Sequence, residues 1–167
     1  MNLQTSSQIS TPVVENLGRP YLQLQLEPQT YGVVPMNNAQ EVFTLPARRI
    51  TPMPNMPDCI LGLLNQRSRV FWTIDLPQLL GMQPIDRNLQ QYHLTIMRFG
   101  NIPLGTIVQQ IKGVIRLNSD EIQPAAGHVT NKLLPYLQGC CRQANHTLLV
   151  LNAEAIINSP NLHAADN

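Results

Sequence analysis

The sequence predicts an all-β protein of nine or ten short strands, arranged as barrels or a sandwich, with little helix. Three observations carry this. Residues 21–26 read Tyr-Leu-Gln-Leu-Gln-Leu, so Leu22, Leu24 and Leu26 share one face and Gln23 and Gln25 the other, the period of two of a strand with one buried face. Further apolar segments of five to eight residues recur along the chain, separated by turns rich in Pro, Gly and Asn, a spacing typical of all-β architectures. The helix-period pattern is confined to two short pieces, each opening on a capping residue.

Taken in order, residues 1–20 are polar and read as a flexible leader. The strand from Tyr21 turns through Glu27-Pro28-Gln29-Thr30 into a second strand at 31–34. Residues 40–45 form a third, followed by four prolines between 46 and 57 that make a stiff edge connector, because proline fixes φ and donates no ladder hydrogen bond. Segments 59–64 and 70–74 are apolar and flank the polar stretch Asn65-Gln66-Arg67-Ser68-Arg69, which suggests a hairpin with two arginines near its tip. Asp75 is placed to cap a helix over 76–80, with Gly81 ending it. A turn-rich stretch near 82–90 is the expected internal boundary. Strands follow at 92–99, 102–108, 111–117 and 147–151; 119–129 reads as loop, 132–137 as a short piece broken at Pro135, and Asn152 as the cap of a helix over 153–157. The tail from Asn158 is expected to fray, and no repeat at a regular spacing is visible.

Composition narrows the function. Hydrophobic residues make up 43% of the chain and charged residues only 13%, so Asn and Gln supply much of the polar surface. The net charge is +1, with no basic run of the kind that nucleic acid or an anionic membrane requires, so no nucleic-acid partner and no membrane insertion are expected. Cys59, Cys140 and Cys141 lack disulfide or CxxC spacing, and fit a reducing, cytoplasmic compartment. His93, His128, His146 and His163 fall at no metal-ligand spacing, and the glycines form no phosphate loop. No catalytic residue, metal site or cofactor is therefore assigned. Three rivals stay open: a hydrolase pairing Cys140 or Cys141 with His146, a β-barrel enclosing a small molecule, and a nucleic-acid-binding barrel.

The candidate binding residues are Asn65, Arg67 and Arg69. The apolar flanks of the hairpin would anchor it and leave these side chains to a partner, Arg being suited to bidentate pairing with carboxylates. Arg67 can instead pair with Asp75 and hold the hairpin in register. Phe71 and Trp72 fall on opposite faces of their strand, one for a core and one for an interface. Structural roles are assigned to Gly62, Trp72, Asp75, Gly105 and Gly139.

At these residues the sequence resembles the CheW-like family of chemotaxis coupling proteins. Gly62, Asn65, Arg67, Asp75 and Leu76 match its Gly-x-x-Asn-x-Arg…Asp-Leu pattern in order and spacing. Further resemblance lies in Gln40-Glu41-Val42, Ile50-Thr51-Pro52-Met53-Pro54, Leu104-Gly105-Thr106-Ile107-Val108, Tyr136-Leu137-Gln138-Gly139 and Leu148-Leu149-Val150-Leu151-Asn152. Gln66, Ser68, Trp72, Gln109 and Asn152 depart from the family's usual residues. Ser68 stands where glycine is usual, and Trp72 gives the chain the look of phototaxis or pilus-motility forms. The resemblance covers 21–157 and implies two five-stranded β-barrel subdomains packed together. It further implies a non-catalytic adaptor between a methyl-accepting-type receptor and a CheA-like histidine kinase, with a response regulator as partner in specialised members.

Overall fold

The computed structural model describes residues 18–163. Twelve strands run in chain order: β1 (Arg19–Glu27), β2 (Thr30–Pro35), β3 (Ala39–Pro46), β4 (Ile50–Thr51), β5 (Ile60–Gln66), β6 (Arg69–Asp75), β7 (Gln91–Phe99), β8 (Ile102–Val108), β9 (Gln110–Leu117), β10 (Ile122–Gln123), β11 (Leu137–Gln143) and β12 (His146–Leu151). Two short helices, α1 (Leu76–Leu79) and α2 (Ala153–Ile157), follow β6 and β12. The strands form two six-stranded mixed sheets, ordered β10-β11-β12-β2-β1-β9 and β4-β5-β6-β8-β7-β3. The all-β expectation holds, and the sixth strand of each sheet is a two-residue edge strand, β4 or β10. The edge strands of each sheet are neighbours in the chain, joined by one 3₁₀ turn, Ala47–Arg49 or Ser119–Glu121. So short a link between opposite edges curls each sheet into an open barrel.

The two sheets have the same order because the chain repeats one topology twice. Corresponding positions lie 72 residues apart through the first four strands (19 to 91, 27 to 99, 50 to 122) and 77 apart afterwards (60 to 137, 66 to 143, 75 to 152). The step of five falls in the connectors before β5 and β11. No repeat is visible in the sequence, since few side chains coincide, but the residues that shape the backbone do. Gly62 and Gly139 are equivalents at a ladder irregularity. A Cβ on Gly62 would lie 2.0 Å from the Thr51 carbonyl oxygen, and one on Gly139 would lie 2.5 Å from that of Gln123, so in both halves glycine lets the two-residue strand approach. Gly105 serves a separate contact, since its Cβ would meet the Thr73 hydroxyl at 2.7 Å.

The halves are interleaved. β1 and β2 complete the sheet of the second half, and β7 and β8 that of the first, through the parallel pairs β12–β2 and β6–β8. The stretch near 82–90 thus separates two repeats in sequence but not two sheets in space. Side-chain alternation sorts the core accordingly. On β12, Leu148 and Val150 fill one barrel with Tyr21, Val33 and Leu117, while Leu149 and Leu151 join Leu22, Leu24 and Leu26 in the layer between the sheets. Leu45, Leu64, Phe71, Leu94 and Ile107 fill the other barrel. Burial pushes the Cys59 thiol up from its ordinary value and the Tyr92 phenol likewise, so neither ionises readily.

Several local expectations shift. Glu27 pairs directly with Thr30, leaving Pro28-Gln29 as a two-residue turn. β11 lies where no strand is expected, because Gly139-Cys140-Cys141 breaks the alternation that marks one. Part of the expected leader, Arg19-Pro20, belongs to β1, and residues 1–17 lie outside the described residues. The tail expected to fray is packed through Leu162: Ser159 is buried, its hydroxyl 2.6 Å from the Tyr136 hydroxyl, and Asn161 donates to the same oxygen. Residues 164–167 lie outside the described residues.

Replacing Gly62 or Gly139 by Ala forces backbone apart in each case. Urea unfolding should show a loss of about 2 kcal/mol or more for either variant, larger for Gly62→Ala because its φ of +143° adds strain.

Candidate docking site

Strands β5 and β6 build a hairpin whose tip is tighter than the sequence suggests. Asn65 pairs with Val70 and Gln66 with Arg69, so Arg67-Ser68 alone make the turn. Both have positive φ, 54° and 64°, which matches the two-residue turn that fits strand twist and usually holds Asn-Gly. Each L-residue there costs on the order of 1 kcal/mol. The tip keeps this geometry without glycine at Ser68 because the ladder beneath it fixes the chain.

The Arg67 side chain is 78% exposed and reaches Glu41 of β3, Nη2 to Oε1 at 3.4 Å. It does not pair with Asp75, which lies at the far end of β6. Asp75 is fully buried and forms its own network. Its Oδ1 accepts from the Gln78 backbone N–H at 2.9 Å, capping α1 as expected. Its Oδ2 accepts from the Ile85 N–H at 2.8 Å and from Arg87 Nη1 at 2.7 Å. Arg87 in turn donates to the Ile85 carbonyl and the Gln78 side chain, so one carboxylate ties α1 and the following segment to β6. The equivalent Asn152 caps α2 through Ala155 N–H at 3.1 Å.

A second arginine supports the tip. Arg49 Nη2 donates to the Asn65 carbonyl at 2.6 Å and to Gln66 Oε1 at 3.1 Å. Linear sequence hides both this contact and Glu41–Arg67, which join residues 16 and 26 positions apart, the first beside the β4–β5 ladder and the second across the curl of the sheet. The outer face of β6 carries Val70, 61% exposed, and Trp72, 37% exposed, while Phe71 between them is buried in the barrel; this settles which aromatic faces outward. Trp72 forms a wall of an open groove of about 440 Å³ with Ile60, Ile102, Pro103, Leu104 and Ile157.

The rival chemistries do not assemble. Cys140 Sγ points to the Pro124 carbonyl and Cys141 Sγ to that of Arg142, whereas the His146 ring packs on Tyr31 with centroids 4.7 Å apart. Among the described residues, no three His, Cys, Asp or Glu side chains converge as a metal site. Both barrel interiors are filled by side chains.

A β body with filled barrel interiors, an exposed arginine turn and an open apolar groove toward the other end of the same hairpin offers surfaces rather than an enclosed site, as a scaffold does. Comparison with known proteins gives its family: the model described as the CheW-like domain matches residues 20–161, and the chain belongs to that family, a family of non-catalytic scaffolds in chemotaxis signalling. The chain is 24% identical to the chemotaxis protein CheW of Klebsiella aerogenes over 153 residues, covering 92% of this chain and 90% of that one. It is 26% identical to CheW of Bacillus subtilis over 121 residues, with 69% and 73% covered. It is 25% identical to chemotaxis protein CheV3 of Helicobacter pylori over 134 residues, 79% of this chain and 43% of that longer one. The crystal structure of scaffolding protein TtCheW from Thermoanaerobacter tengcongensis superposes with a TM-score of 0.73 at 17% identity, covering 89% of this chain and 97% of that one.

Three substitutions check this geometry by their effect on stability. Ser68→Gly should raise the unfolding free energy by roughly 1 kcal/mol by relieving the turn. Asp75→Ala should lower it by about 3 kcal/mol, since it leaves two backbone donors unpaired and Arg87 without its carboxylate, and Arg87→Ala should cost less because that side chain is 40% exposed.

Proposed function

We propose that this protein couples a methyl-accepting-type receptor to a CheA-like histidine kinase without turnover, and that Asn65, Arg67 and Arg69 form one of its docking surfaces. The observation that carries the reading is the tip itself: an exposed guanidinium held at a fixed turn by Glu41, next to the uncovered Val70 and Trp72. Arginine and aromatic residues at such positions dominate interface energies. The groove beside Trp72 supplies apolar contact area, and the arginines supply orientation. A cytoplasmic setting fits the three free, buried cysteines, and among the described residues no helix is long and apolar enough to cross a membrane.

The test is a pull-down of the intact protein against purified kinase and receptor partners. Arg67→Ala should weaken at least one complex by more than about 1 kcal/mol, roughly fivefold or more, with the fold unchanged by circular dichroism. Equal binding to every partner would remove Arg67 from the docking surface.

A further inference from the structure

The internal repeat offers a comparison of two equivalent barrel ends, and their charges are opposite. In the first half, the 3₁₀ turn that joins the sheet edges carries Arg48 and Arg49, both exposed. Its equivalent in the second half, 72 positions on, carries Asp120 and Glu121. The turn therefore forms with either sign of charge, so its own backbone does not require arginine there.

Those arginines stand beside the hairpin tip. Ile50 pairs with Leu64, Arg49 just before it donates to the Asn65 carbonyl and the Gln66 side chain, and Arg48 is its exposed neighbour in the same turn. Arg69 is the cross-strand neighbour of Gln66, and Arg67 crowns the turn. Four arginines thus gather at one end of a protein whose net charge is only +1. Among the described residues, one carboxylate, that of Glu41, pairs with any of them. The equivalent hairpin of the second half has Ala144 at its turn and His146 in place of Arg69, so the cluster belongs to the first half alone.

From this we infer that the Arg48–Arg49–Arg67–Arg69 end binds an acidic segment of a partner protein, one that presents several carboxylates. The inference rests on the docking role proposed for the tip and adds the chemistry of what docks there. Guanidinium groups take carboxylates two hydrogen bonds at a time, and a cluster of one sign speeds encounter with a segment of the other sign. A protein segment fits better than a nucleic acid or a lipid surface. Phosphate polymers and anionic bilayers are held by many basic contacts over a long surface, whereas here three guanidiniums without a carboxylate partner surround one turn. The exposed apolar Val70 adjoins them, a residue that an acidic peptide with apolar side chains can cover and a phosphate backbone cannot.

The experiment uses the full chain and a labelled peptide of six glutamates around a central leucine, with binding followed by fluorescence anisotropy at low and moderate salt. A lysine version of the peptide, a single-stranded oligonucleotide and vesicles containing one-third anionic lipid are run beside it. The wild-type protein should bind the glutamate peptide in preference to all three, and affinity should fall several-fold as salt rises. The double variant Arg48→Glu, Arg69→Glu, whose side chains make no hydrogen bonds that support the hairpin, should weaken peptide binding at least tenfold. The variant Arg116→Glu, Arg142→Glu changes net charge equally in the other half and should stay within twofold of wild type. Equal losses in the two variants, no binding of the glutamate peptide, or tighter binding of the oligonucleotide or vesicles would each overturn the proposal. If peptide binding fails while Arg67→Ala still disrupts the kinase or receptor pull-down, the docking surface stands and its acidic ligand does not. If the peptide binds as expected while that pull-down is unaffected, the acidic site stands and the coupling role of the tip does not.

Discussion

The exchange of β-strands between the two halves is the constraint from which the rest of the structure follows. Each sheet takes four strands from one half and two from the other, and each exchange is sealed by a parallel pair that no local hairpin can replace. The layer of Leu22, Leu24, Leu26, Leu149 and Leu151 exists because strands from both halves contribute to it. Burial of that apolar face is the main stabilising term for such a layer. The halves are therefore parts of one cooperative body, and a docking surface on one sheet is mechanically continuous with the other.

The sequence showed its strands wherever a strand has one wet and one dry face. The alternation of β1 and the capping residues Asp75 and Asn152 were legible because each depends on neighbours within a few positions. β4 and β10 were not legible, since two residues carry no period, and β11 was hidden by a glycine required for close approach rather than for pattern. The duplication was invisible for a related reason. What the halves share is a set of backbone requirements, kept by Gly62 and Gly139 or by Asp75 and Asn152, while the side chains between them diverged. Of the site, Asn65, Arg67 and Arg69 could be nominated from their polar context. Glu41, Arg48 and Arg49 could not, because the curl of the sheet brings Glu41 to the tip and the two-residue strand β4, which carries no period, brings the arginines. Arg67 and Asp75 share a hairpin strand region in sequence but sit at opposite ends of β6, and each found a partner from another segment.

Rigidity and exposure are divided between different parts of the same hairpin. The base of β6 is locked by the buried Asp75, whose carboxylate satisfies two backbone donors and Arg87 at once. A buried charge is tolerable only when its hydrogen bonds are met in this way. The exposed end of the hairpin has the opposite character, with solvated arginines and an uncovered Val70 and Trp72. Surface ion pairs such as Arg67–Glu41 add little to stability, so that pair serves better as a guide for the side chain than as a fastening for the fold.

The left-handed pair Arg67-Ser68 has a consequence for the entropy of association. Glycine at these positions would let the tip sample several backbone states, and a partner would have to select one of them. Two residues with side chains at φ of 54° and 64°, clamped by the ladder below, have far fewer states to lose. Part of the ordering cost of binding is thus met when the protein folds. Under the proposed docking role, a partner would meet a guanidinium whose backbone already has its final shape, and the complex would depend less on induced change in the scaffold than on the shape and charge of what is brought to it.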